Sequence, residues 1–95
     1  MDILFIVTQA GGGAILKGLT SACRRQGVVY SIFFTGQGIL ALTQNDDDFS
    51  VGAEEALACE HSWQSNFGDL PCPLETGSQT ANSRLLGSAK KVVSL

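Results

Sequence analysis

The residues best equipped for chemistry lie together in Cys59-Glu60-His61-Ser62-Trp63, where a thiol, an acid, an imidazole, a hydroxyl and an indole follow the short apolar run Ala56 to Cys59. A thiol becomes a nucleophile as its thiolate, so its surroundings decide whether it reacts. Ala56 to Cys59 reads as a strand buried on both faces of a parallel sheet, and Ser62 as the N-cap of a short helix behind it. Cys59 then stands at the carboxyl end of a strand, where open α/β sheets form their ligand crevices, and it faces the positive end of the next helix. His61, two residues on, is placed to exchange a proton with the thiol or to pair with the thiolate. The alternative is a Cys59 packed as a small buried hydrophobe with His61 at the surface, since buried cysteines are commonly inert. The sequence leaves both readings open.

Other groupings are weaker. Cys23, Cys59, Cys72 and His61 make a ligand set that zinc accepts, but their spacing fits no zinc signature, and no metal site is assigned. Asp46, Asp47 and Asp48 form an acidic run without calcium-loop spacing, and such runs are usually solvated. Gly11-Gly12-Gly13 follows the first strand as a phosphate loop would, yet it matches neither the dinucleotide fingerprint nor the P-loop, so no cofactor is implied. His61 is the sole histidine and no nucleophile elbow occurs, which argues against a serine triad.

The elements that must position Cys59 follow from the apolar patterning. Ile3 to Val7 is a central buried strand. After the glycine turn, Ile15, Leu16, Leu19, Ala22 and Cys23 form one apolar helix face, ending in Arg24 and Arg25 with Gly27 at C′. Val28 to Phe34 is a second buried strand, Thr35-Gly36-Gln37-Gly38 a turn, and Ile39 to Leu42 the start of a short helix. Trp63 and Phe67 pair one turn apart on the helix after Cys59, which Gly68 closes. Pro71-Cys72-Pro73 bars a regular central strand there. Ser78 caps a last helix running to about Ala89 with Ala81, Leu85 and Leu86 inward, and Val92 to Leu95 is the final strand. Phe5, Val7, Val29, Ile32, Phe33 and Leu57 are the expected core. Alternating strands and helices predict an α/β fold with a mostly parallel sheet of four or five strands.

Length and composition set the outer bounds. The 95 residues fit one domain, residues 1–95, with no repeat or linker. Only 16% are charged and 44% are hydrophobic, so a small surface keeps apolar area uncovered, which points to self-association. A net charge of −3 without a basic patch argues against nucleic acid as a partner. No apolar run reaches the roughly 20 residues that span a bilayer, and the start reads as a strand rather than a signal peptide, so no membrane partner is expected. Three scattered cysteines do not suggest a disulfide framework, and a reducing cytoplasm is the expected location.

Three stretches together resemble the DsrE/DsrF-like family of sulfur-relay proteins, which includes the Tus sulfurtransferases. They are Ile3 to Gly27, with its strand, glycine turn and helix; Val29-Tyr30-Ser31-Ile32-Phe33-Phe34-Thr35-Gly36-Gln37-Gly38-Ile39, similar to the family's aromatic strand and "DGV"-like turn; and Cys59 at the end of the next strand. Gln37 stands where the family usually has Asp, and Pro71-Cys72-Pro73 interrupts the expected fourth strand. The resemblance implies a small flavodoxin-like three-layer fold assembled as a homo- or hetero-oligomer, a trimer or hexamer. It implies a sulfurtransferase-type persulfide carrier in which Cys59 accepts sulfane sulfur and passes it to a partner protein. His61 would tune Cys59, Trp63 and the Gly36-Gln37-Gly38 turn would line the site, and Cys72 would be either a resolving thiol or incidental. The alternatives are a non-catalytic subunit of the same fold and a small metal- or ligand-binding module using Cys59, His61 and Cys72.

Overall fold

A computed structural model describes residues 1–44 and 48–95. The acidic run therefore lies partly outside the described residues, with only Asp48 inside them. The chain forms β1 (Ile3–Val7), α1 (Gly12–Gln26), β2 (Tyr30–Phe34), a 3-10 turn (Gly36–Leu40), α2 (Ala41–Gln44), β3 (Ala56–Cys59), α3 (Glu60–Phe67), β4 (Glu75–Gly77), α4 (Gln79–Ser88) and β5 (Lys91–Ser94). The five strands make one parallel sheet in the order β4-β3-β2-β1-β5. Parallel neighbours need crossover connections, and the helices supply them on both faces, giving the small flavodoxin-like three-layer α/β architecture.

Two apolar clusters separate the layers. Phe5, Val7, Tyr30, Ile32, Phe34 and Ala58 face Leu16 and Cys23 of α1, Ala41 of α2 and Trp63 of α3. Leu4, Phe33, Leu57 and Cys59 face Leu85 of α4, with Ala81 packed alongside. Thus, among the described residues, α1, α2 and α3 cover one face and α4 is the helix that covers the other. The capping chemistry of the sequence holds at both long helices. Gly27 ends α1 at φ 70° with its N–H on the last carbonyls, and the Ser78 hydroxyl accepts from the Ala81 N–H to start α4.

Several expectations change. Val29 was expected in the core but precedes β2 and is 47% exposed, because the strand begins only at Tyr30. Ile15, Leu19 and Leu86 are exposed, and α1 buries Gly12, Gly13, Leu16, Thr20 and Cys23 instead. Helical spacing marks a broad stripe, and the part buried is the part that meets the sheet. The prolines do not abolish the fourth strand. They precede it, and Glu75–Gly77 pairs with β3 as a three-residue edge, where a neighbouring proline costs no ladder bond. The remaining expected core residues, Phe5, Val7, Ile32, Phe33 and Leu57, are all buried.

Two backbone features fix the carboxyl ends of the central strands. Thr35 N–H donates to the Val7 carbonyl at 2.9 Å, and the turn that follows crosses so close that a Cβ on Gly38 would lie 1.9 Å from the same oxygen. Only glycine permits that approach. Leu57→Ala should lower unfolding free energy in urea by about 2–5 kcal/mol, the cost of a large-to-small core change, whereas Val29→Ala should cost less than about 0.5 kcal/mol, as at other surface positions. Gly38→Ala should cost about 1–3 kcal/mol or more, since the turn must lift off β1.

Candidate functional site

Strand order places Cys59. The connection leaving β3 becomes α3 on one face, whereas the connection leaving β4 becomes α4 on the other. Where neighbouring outgoing connections diverge, the carboxyl ends of an open parallel sheet form a crevice. Cys59 is the last residue of β3 and is paired with Gly77, the last of β4. It therefore sits at the divergence point, with helix starts on both sides.

Locally, Cys59 is itself the N-cap of α3, at φ −61° and ψ 120°, so Ser62 is not the cap expected from its residue type. Ser62 lies inside the first turn, nine-tenths buried, and its Oγ accepts a 2.9 Å hydrogen bond from the Gly36 N–H. With its lone pair so engaged, the hydroxyl proton is free to point at the sulfur. Cys59 as a whole is 3% exposed. Burial pushes its pKa up, but donors from the Ser62 hydroxyl and N–H, the Thr35 hydroxyl and the His61 N–H together outweigh burial and leave the thiol more acidic than an ordinary cysteine. A carboxamide completes the ring, with Nε2 of Gln79 lying 3.7 Å from Sγ.

The other thiols are different. Burial pushes Cys23 upward despite Arg24, and burial pushes Cys72 upward despite a hydrogen bond from the Leu74 backbone. All three cysteines are free. One thiol of three is thus tuned toward thiolate.

The site residues expected from the sequence divide into two groups. Gly36 reaches Cys59 through Ser62, and Gly38 holds the turn against β1. Gln37 lies exposed on the same turn. His61 presents its main-chain N–H to the sulfur, while its side chain is exposed. Trp63 and Cys72 belong to the opposite layer. Both pack with the cluster under α1 and α3, and both line a hollow of about 230 Å³ with Glu60, Gln64 and Leu70. Trp63 is anchored there by a 2.6 Å hydrogen bond from Nε1 to the Leu70 carbonyl and by the Phe67 ring at 4.5 Å between centroids. The structure therefore does not bring Cys72 or Trp63 together with the Cys59 sulfur, which packs on the α4 side. Among the described residues, no group of three His, Cys, Asp or Glu side chains converges as a metal-binding set would.

Thr35 and Gln79 are the partners that residue types alone did not single out, and Ser62, expected as a cap, is a donor to the sulfur instead. Parallel register is the signal that finds them. Phe34 lies beside Ala58 and Cys59 beside Gly77, so the residue after β2 and the residues opening α4 must flank the thiol. In a pH series of alkylation rates, Ser62→Ala should move the Cys59 midpoint upward, because the largest donor is lost. His61→Ala should leave that midpoint in place, because the variant keeps the main-chain N–H.

No protein-family model matches the chain, and no curated protein or solved structure matches it either, so the functional reading rests on the chemistry around Cys59.

Proposed function

We propose that the protein is a persulfide carrier of the sulfur-relay type, with Cys59 as the acceptor, in keeping with the resemblance of its sequence to the DsrE/DsrF-like family. One observation carries this reading: of three free thiols, the one at the strand-end crevice is ringed by donors that favour the thiolate. The Cys59 thiolate attacks the outer sulfur of a donor persulfide, R–S–SH. The donor S–S bond breaks as a new S–S bond forms on Cys59, and the donor departs as a thiolate that takes a proton from water. The exchange is redox-neutral, and an acceptor thiolate repeats it on the outer sulfur of Cys59.

The same donors serve both halves. They raise the thiolate fraction for attack, and in the second step they stabilise Cys59 as the leaving thiolate, since leaving groups of lower pKa depart faster. His61 supports the site through its N–H, and Gly36-Gln37-Gly38 through the hydroxyl that Gly36 orients. Donor and acceptor proteins are the partners. The exposed Ile15, at 57%, and Leu19, at 38%, favour assembly into an oligomer, in line with the low charge.

Burial of Cys59, 3% exposed, favours a second reading, a non-catalytic subunit of an oligomer. One experiment separates them. The folded chain is incubated with a small-molecule persulfide donor, and its peptides are mapped by mass spectrometry without reductant. Relay predicts a gain of one sulfur atom on the Cys59 peptide and its loss on adding an acceptor thiol. A Cys59 peptide that stays unmodified while Cys72 reacts would leave the subunit reading in possession.

A further inference from the structure

The Cys59 sulfur is almost fully covered, yet one of its neighbours is a surface side chain. Ser62 and Thr35 approach from α3 and from the turn after β2, and those elements are locked by the Gly36–Ser62 hydrogen bond and by the Gly38 contact with β1. Gln79 approaches from α4. It is the first helical residue after the Ser78 cap, it is exposed, and its carboxamide touches the sulfur at 3.7 Å. A first-turn side chain outside the core can change rotamer without disturbing packing, whereas the opposite side of the sulfur cannot move without shifting a strand end.

We propose that Gln79 is the positioning residue and gate of Cys59: its carboxamide covers the sulfur, donates to the thiolate, and swings aside to admit the outer sulfur of a donor persulfide. This rests on the relay reading of the same site. The carboxamide suits the task because it offers a donor. Its NH₂ donates to the sulfur and so favours the charged form, the thiolate. The groups acting on the sulfur are uncharged. Among the charged groups of the surrounding elements, Glu60 and His61 of α3 and Glu75 of β4 are exposed, and Arg84 of α4 is held by Glu55 through two bonds of 2.8 and 2.9 Å.

Two substitutions separate cover from hydrogen bonding. Gln79→Ala removes both, and Gln79→Leu keeps the bulk but not the donor. Alkylation of the folded chain is followed across pH by peptide mapping, with iodoacetamide and with a bulkier maleimide, using Cys72 in the same molecule as the reference. Neither reagent carries sulfane sulfur, so this test can fail while persulfide transfer succeeds, and the reverse. In Gln79→Ala the high-pH plateau rate of Cys59 should rise by about three-fold or more with the maleimide and by less with iodoacetamide, because every thiol is then ionised and access alone limits the rate. In Gln79→Leu the plateau should stay near wild type while the midpoint moves upward, as expected when a donor to the charged form is lost. Equal plateaus in wild type and Gln79→Ala would overturn the gate. An unmoved midpoint in Gln79→Leu would overturn the hydrogen bond, and a plateau that rises equally with both reagents would show general loosening rather than a gate.

Discussion

The structure depends on one strand with no exposed side chain. All five residues of β2 are buried, so both faces of the sheet must be covered at its centre, and the strand must have a partner on each edge. Tyr30, Ile32 and Phe34 point to the layer of α1, α2 and α3, and Phe33 points to α4. Burying a strand on both faces is feasible only when every backbone group is paired, which the parallel ladders with β1 and β3 accomplish. Its side-chain polar groups are likewise engaged. Ser31 Oγ accepts from the Glu55 N–H at 3.2 Å, and the Tyr30 hydroxyl accepts from Arg24 at 2.9 Å.

From that centre the site follows by adjacency. Parallel strands bring their carboxyl ends to the same edge of the sheet, so the ends of β2, β3 and β4 lie side by side. The turn after β2 delivers Thr35 and Gly36, β3 delivers the thiol, and the start of α4 delivers Gln79. None of these groups is charged. The thiol is made acidic by oriented hydrogen-bond donors at helix starts, which act at short range and keep their strength in a nearly dry setting. This differs from the usual pairing of a thiolate with an imidazolium, and it explains how a chain with a single, exposed histidine can still tune a cysteine.

The two layers also partition the thiols. Cys59 packs under α4, whereas Cys23 and Cys72 pack with the opposite cluster. The sheet stands between them, and at the latter pair burial outweighs the single neighbour that opposes it. Distribution of cysteines across a sheet therefore separates one thiol tuned toward thiolate from two whose pKa is raised, without any difference in residue type.

The sequence by itself determined the α/β class, four of the strands, the helix ends at Gly27, Gly68 and Ser78, and the placement of Cys59 at a strand terminus, because apolar periodicity and capping chemistry act over a few neighbouring residues. Tertiary structure decided the rest. Short-range pattern could not say that Val29, Ile15, Leu19 and Leu86 would remain exposed, since an apolar residue is buried only if another element meets it. Nor could it recover β4, whose three residues have little strand character and exist as a strand only because β3 offers an edge. The same holds at the site. Ser62 looked like a cap and His61 like a proton partner because they are close to Cys59 in the chain. Thr35 and Gln79, each 20 or more residues away, became its neighbours only through the register of the sheet.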